Sequence, residues 1–331
     1  MKVTRRIPWS KYPLSGQLLV FFCVAIIATM LPSQSSAQDA PGPEPQSRVL
    51  NGHHFIPSTR LFDPFITTWV RQTTGVGTAR DVVTVVDDLD GNPIEFVGNV
   101  TFLGIAFGYQ HAMTDRIAAY IIAGGGARIG TDAEAILSTG LNAFMDFSLG
   151  GKVKVWGNRQ FLLAANLDYA NTGVSSISVL DWARKVVDSG ALSDSSLVAK
   201  SSTGSFRGGL NLSYAPEPWI GFTGLTLFGL GNVVGDLESE FAFQGQISTD
   251  IDLAPITNVP IGFILGYDRN TFVQQGGEIT ESSDAFIFGI FYTGRDDFSI
   301  GLELQNAKLP LKNVDKSIRT GEASINLRYF F

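Results

Sequence analysis

The length of the alternating segments limits this chain more than any other feature of its sequence. Phe96 to His111, Leu141 to Trp156, Arg159 to Asn171, Trp219 to Asn232, Glu238 to Leu253 and Asp297 to Asn306 each run ten residues or more without a proline. Apolar and polar side chains alternate along most of them, the period of a strand with one greasy and one wet face. Phe161, Leu163, Ala165, Leu167 and Tyr169 share one parity, opposite Asn166 and Asp168. Phe298, Ile300, Leu302 and Leu304 oppose Ser299, Glu303 and Gln305 in the same way. Strands in soluble sheets usually run about five or six residues. Crossing an apolar layer of roughly 25 Å at a tilt near 40° takes about ten residues of roughly 3.3 Å each. A charge on the greasy parity would cost roughly 2–4 kcal/mol at mid-depth. Nearly every mid-strand charge lies on the wet parity.

Twelve such strands are expected, at about 65–76, 96–112, 116–129, 141–156, 159–171, 204–215, 219–233, 238–253, 259–273, 283–294, 297–307 and 318–331, with ten or fourteen as alternative counts. Tight connections such as Gly157-Asn158 and Gly294-Arg295-Asp296 alternate with longer ones near 77–95, 130–140, 172–203, 274–282 and 308–317. Only the connection near 234–237 breaks that order. Backbone polar groups in a lipid layer must all be paired, which an open sheet edge does not allow. The expected fold class is all-β, a transmembrane antiparallel up-and-down β-barrel. Three strands alternate poorly, because Ile121-Ile122, Leu227-Phe228 and Phe286-Ile287-Phe288 put apolar residues on both faces. Either those strands contact a plug or packed lumen, or the register slips there.

The two ends of the chain bear on export. Lys2, Arg5, Arg6 and Lys11 precede an apolar run from Leu18 to Leu31, followed by Ser35-Ser36-Ala37. This order of basic, apolar and small residues reads as a secretory signal peptide cut near Ala37. At the other end, Ala323, Ile325, Leu327 and Tyr329 alternate with Glu322, Ser324, Asn326 and Arg328, and the last residue is the aromatic Phe331. That strand resembles the closing strand of Gram-negative outer-membrane β-barrels of the porin and transporter kind. The resemblance implies integral location in the outer membrane, contact with its lipid and lipopolysaccharide, and recognition of the strand ending in Phe331 by the barrel assembly machinery. The expected division is a signal peptide over 1–37, a periplasmic lead over 38–64 and a barrel over 65–331.

Composition closes off several alternatives. The chain carries a net charge of −7, and loss of a leader with four basic and no acidic side chains makes the remainder more acidic. Nucleic acid is therefore not an expected partner. Cys23, the single cysteine, goes with the leader, so disulfides, thiolate metal sites and cysteine nucleophiles go with it. The adjacent His53-His54 suit neither a strand nor a helical zinc pair, and His111 falls at a tight-turn rim. A barrel lipid-modifying enzyme would need a histidine and serine together near the outer rim. No expected strand offers one there, so the chain is read as a non-enzyme with no catalytic residues, cofactor or metal.

Tyr109, Trp156, Phe161, Tyr214, Trp219, Tyr292, Tyr329 and Phe331 cluster beside the tight turns, as an interfacial aromatic belt would. Thr131 and Glu134 have capping-box spacing before Ala135-Ile136-Leu137, and Val179, Trp182, Ala183, Val186 and Val187 share one helical face, so both loops are expected to carry helices. The segment from Gln38 to Asp63 is rich in proline and polar residues. It is read as a flexible periplasmic lead, with a short plug from Val49 to Phe62 as the alternative.

What remains is the lumen. The lining candidates for solute contact are Asp146, Lys152, Asp168, Arg207, Glu240, Asp250, Asp268, Glu303 and Arg328. The acidic excess among them favours cations or neutral polar solutes. The expected function is a channel or passive uptake transporter for small solutes. A closed structural barrel whose external loops bind a partner is the competing reading, and an outer-membrane lipid-modifying enzyme is a lesser one.

Overall fold

The structure, a computed structural model, describes residues 48–87, 93–131, 141–177, 198–232, 239–271, 282–310 and 317–331. Twelve antiparallel strands close into one barrel: β1 (Trp69–Asp87), β2 (Pro93–Ala112), β3 (Ile117–Gly130), β4 (Leu141–Gly157), β5 (Phe161–Ile177), β6 (Val198–Glu217), β7 (Ile220–Asn232), β8 (Ser239–Asp252), β9 (Ile261–Asn270), β10 (Ser283–Tyr292), β11 (Phe298–Pro310) and β12 (Ser317–Phe330). Each pairs with the next, and β12 returns to β1 from Arg319 opposite Arg80 to Phe330 opposite Trp69. Closure leaves no edge strand and so no unpaired row of backbone groups in the layer.

Side-chain parity follows the sequence pattern. Phe206, Leu210, Leu212 and Tyr214 are exposed on the outer wall, whereas Asn211 and Ser213 between them are buried within the barrel. On β11, Ile300, Leu302 and Leu304 face out, and Ser299 and Glu303 face in. Trp156, Tyr214, Trp219, Tyr292 and Tyr329 stand outward at the tight-turn end. Phe206 is also outward, about eight residues up β6 from Tyr214, a rise of roughly 20 Å at the usual tilt. An apolar cladding bounded by rings in this way is the surface of a membrane-spanning barrel.

Several expectations change. The poorly alternating strands keep their register at the apolar pairs, the one shift lying between Tyr214 and Glu217 opposite the start of β7; Ile287 on β10 is buried inside the barrel between the exposed Phe286 and Phe288, so its apolar side chain has a packed interior to meet. β1 begins at Trp69 rather than near 65, and the hairpin it forms with β2 runs to Asp87 opposite Pro93. Much of 77–95 is thus strand, with a bulge between Ala79 and Val82; the run Val82-Val83-Thr84-Val85-Val86 is β-branched throughout and suits an extended ladder. β5 and β6 extend likewise to Ile177 opposite Val198. The helices expected near 131–140 and in 172–203 fall on residues 132–140 and 178–197, outside the described part. At the tight-turn end, a single helical turn, α1 (Ala254–Thr257), joins β8 to β9 and ends on Asn258 at φ 59°, the left-handed conformation asparagine tolerates at such a position.

Residues 48–68 correct the reading of a free lead. They enter the tight-turn end of the barrel and pack inside it. Val49-Leu50 and His53-His54 form a two-rung ladder, Val49 opposite His54 and Leu50 opposite His53. The intervening Asn51 and Gly52 have φ 51° and 84°, as a two-residue hairpin turn with positive φ at both positions requires. Beyond it, apolar side chains spaced along an irregular chain each find the wall. Leu50, Phe55 and Phe65 pack with Leu162 and Ala215, and Ile56 and Leu61 pack with Ile264, Ile287 and Phe291. The wall recedes to receive them: a Cβ on Gly221 would stand 2.6 Å from the His53 ring nitrogen, and one on Gly266 2.5 Å from Leu61.

Candidate functional site

The polar groups of this inner segment answer those of the wall one by one. At the mouth, the Arg48 guanidinium lies 3.7 Å over the Phe330 ring and donates to the Phe55 carbonyl at 2.8 Å. The Asn51 side chain donates to the Pro216 carbonyl at 2.7 Å, and the His53 Nδ1 is 3.2 Å from the Pro218 carbonyl. Deeper, the Thr59 amide and hydroxyl donate to the two carboxylate oxygens of Glu303 at 3.1 and 2.7 Å. Arg60 forms an ion pair with Glu322. Gln246 accepts from the Phe62 amide and donates to the Arg60 carbonyl, both at 3.1 Å.

Asp63 is the centre of the arrangement. Lys152 from β4 donates to its carboxylate at 3.2 Å and to its carbonyl at 2.6 Å. Arg328 from β12 reaches the other carboxylate oxygen at 3.4 Å, donates to the Ser58 carbonyl at 2.8 Å and lies 4.7 Å over the Trp69 ring. Arg71 on β1, paired in register with Arg328, donates to the Thr59 carbonyl at 3.3 Å. Gln110 fixes the exit of the segment through the Phe65 and Thr67 carbonyls at 3.0 and 2.8 Å. Burial pushes the Asp63 carboxyl up, but Lys152 and Arg328 outweigh this and hold it below the usual carboxylate range. Burial likewise lowers the His53 imidazole to about 4, against the opposing pull of the Pro218 carbonyl and Asp252.

Of the expected lining residues, Lys152, Glu303 and Arg328 bind the inner segment, and Asp250, fully buried, accepts from the Ile56 backbone. Asp168 and Arg207 face each other across β5 and β6 and pair bidentately at 2.7 and 2.9 Å, with the Tyr120 hydroxyl donating to Asp168 at 2.9 Å. Asp268 accepts from Gln244 at 2.9 Å, and Asp146 lies beside Gly124; neither joins the cluster around Asp63. Glu240 sits on β8 opposite Gly231, and its side chain lies outside the described part. Sequence reasoning missed Thr59, Arg60 and Asp63, along with Arg71, Gln110 and Gln246. The signal available for the inner segment was Asn51-Gly52, the strongest short hairpin signature, within a stretch read as irregular.

Among the described residues, the gaps between segment and wall are small. One, beside Asp63 and Lys152, measures about 20 Å³, and another, beside Arg48 and Phe291, about 10 Å³. Each is close to the space one water needs. A further concavity, about 1100 Å³, is walled mainly by outward side chains including Leu212, Ile247, Leu265 and Phe286, and it belongs to the lipid-facing surface. Around Asp63 the segment meets the wall closely.

A closed twelve-strand barrel with an apolar exterior and a polar, plugged interior is a transmembrane β-barrel of the outer-membrane type. No protein-family model and no curated protein matches the chain. Among solved structures, an outer-membrane channel from Pseudomonas putida F1 is similar at a TM-score of 0.53 and 10% identity, covering 84% of this chain and all of that one. The translocator domain of the autotransporter NalP from Neisseria meningitidis (TM-score 0.48, 12% identity, 80% of this chain and 88% of that one) and a Pseudomonas aeruginosa FadL homologue (0.48, 10%, 86% and 96%) are further neighbours. At these identities the likeness is one of fold.

Proposed function

We propose that this protein is an outer-membrane channel for small polar solutes, closed in the present state by residues 48–66. In this reading residues 1–37 are the export signal, the tight turns and the plug face the periplasm, and the assembly machinery recognises β12 with Phe331. The observation that carries the proposal is the character of the contact between plug and wall. Thr59, Arg60, Phe62 and Asp63 are held by side chains of the wall rather than by strand pairing. A segment held in that way can leave without breaking the sheet, and what it uncovers is lined by Lys152, Glu303 and Arg328. The neighbouring outer-membrane channel supports the same reading at the level of architecture. Liposome swelling and planar-bilayer conductance test it. Deletion of residues 48–66 is expected to raise permeability well above that of the intact protein, with the barrel still folded. A folded deletion variant whose vesicles stay sealed would establish the closed structural barrel instead.

A further inference from the structure

We propose that Lys152 and Arg328, with Arg71 beside them, form a carboxylate-binding site on the channel wall, which Asp63 fills from within in place of an organic acid anion. The inference rests on the channel reading and names its solute class. Two buried cations on the barrel wall draw their carboxylate from the removable segment: both hydrogen bonds of the Lys152 ammonium end on Asp63, and those of the Arg328 guanidinium end on Asp63 and Ser58. Lys152 and Arg328 are each only 3% exposed. The same wall shows what a purely structural pair looks like, since Arg207 takes its carboxylate from Asp168 on the adjoining strand. A buried cation left without its anion is strongly unfavourable. Departure of the plug opens Lys152 and Arg328 to the hydrated bore as cations free to take another carboxylate.

The site also holds more donors than Asp63 uses. The Nε–H groups of Arg71 and Arg328 are buried without a partner, so an anion richer in oxygen than one aspartate can be accommodated. On β11, the strand beside β12, Glu303 accepts the Thr59 hydroxyl at 2.7 Å. The plug thus presents a carboxylate to the basic cluster and a hydroxyl to Glu303, the two functional groups of a hydroxy acid. The proposal departs from the cation preference expected from counting acidic residues, because Lys152, Arg328 and Arg71 converge on one stretch of the plug, whereas Glu303 and Glu322 meet it singly at Thr59 and Arg60.

Gluconate and its uncharged counterpart sorbitol are suitable probes, titrated calorimetrically into the full chain in detergent and compared with Asp63→Asn. A solute that must displace an internal competitor binds more weakly by the fraction of time its site is free. Asp63→Asn is expected to bind gluconate about tenfold more tightly than the unaltered protein if the site is free about one-tenth of the time. Adding Lys152→Gln should abolish the gain, and sorbitol should bind neither. Equal binding of gluconate and sorbitol, or no gain in Asp63→Asn, would overturn the assignment. Should Asp63→Asn fail to fold, the 48–66 deletion takes its place. Vesicle permeability of the same variants separates the two readings: a permeable variant without gluconate binding removes the site and keeps the channel, and a sealed one that binds keeps the site and removes the channel.

Discussion

Asp63 and His53 hold the plug by opposite means, one as a charge with partners and the other as a ring kept neutral. Removing the sole partner of a buried charge costs roughly 3–5 kcal/mol, and because Asp63 keeps Arg328 at 3.4 Å the loss of Lys152 should cost less than that. Lys152→Ala is therefore expected to loosen the plug while the barrel persists, and trypsin should then cut after Arg60 in intact vesicles that resist it otherwise. Both groups have lowered proton affinities in the folded state, so both contributions weaken on acidification. That of His53 is complete above its ordinary value of 6.5 and is lost as pH falls through about 4. That of Asp63 is complete above the ordinary 3.8 and is lost as pH falls through its depressed value. Single-channel conductance should rise as pH falls below about 6.5, and His53→Gln should move the onset down into the carboxylate range.

The hairpin that starts the plug depends on a backbone conformation open to few residues. Gly52 sits at φ 84°, where a β-branched side chain is strained by about 1–2 kcal/mol. Gly52→Val should disturb the seating of Asn51 and His53 and raise conductance, whereas Gly52→Asn should do so far less. The strands themselves were readable from parity and length, because an outward Leu302 beside an inward Glu303 admits one orientation only in lipid. The ends of β1, β2, β5 and β6 were not, since beyond the apolar layer both faces meet water and the alternation that marks a strand fades. Ile287 is instructive. Its apolar character on the wet face was the trace of Ile56 and Leu61, which lie more than two hundred residues away in sequence and leave no local mark. The basic cluster was visible as single residues at Lys152 and Arg328, but their convergence on Asp63 depends on the curvature of the sheet.

For the barrel as a unit, closure rests on the seam between β1 and β12. Val70 and Tyr329 face each other there in register, so replacing both with cysteine should yield a disulfide on mild oxidation. The oxidised form should keep its compact electrophoretic mobility at temperatures that unfold the reduced one, since a cross-link closing so long a loop removes much of the freedom of the open chain. Absence of that gain would mean that the seam is not where the barrel opens.

The pairing of Trp69 with Phe330 has a kinetic meaning as well. Every other ladder joins neighbours in the chain and can zip from a turn, but this one must wait for two distant segments to find each other, and such encounters are slow. Refolding into micelles should accordingly show hairpins early and a compact cylinder late. In that interval the half-built sheet is an open trough, and residues 48–68 can be laid into it before the rim shuts.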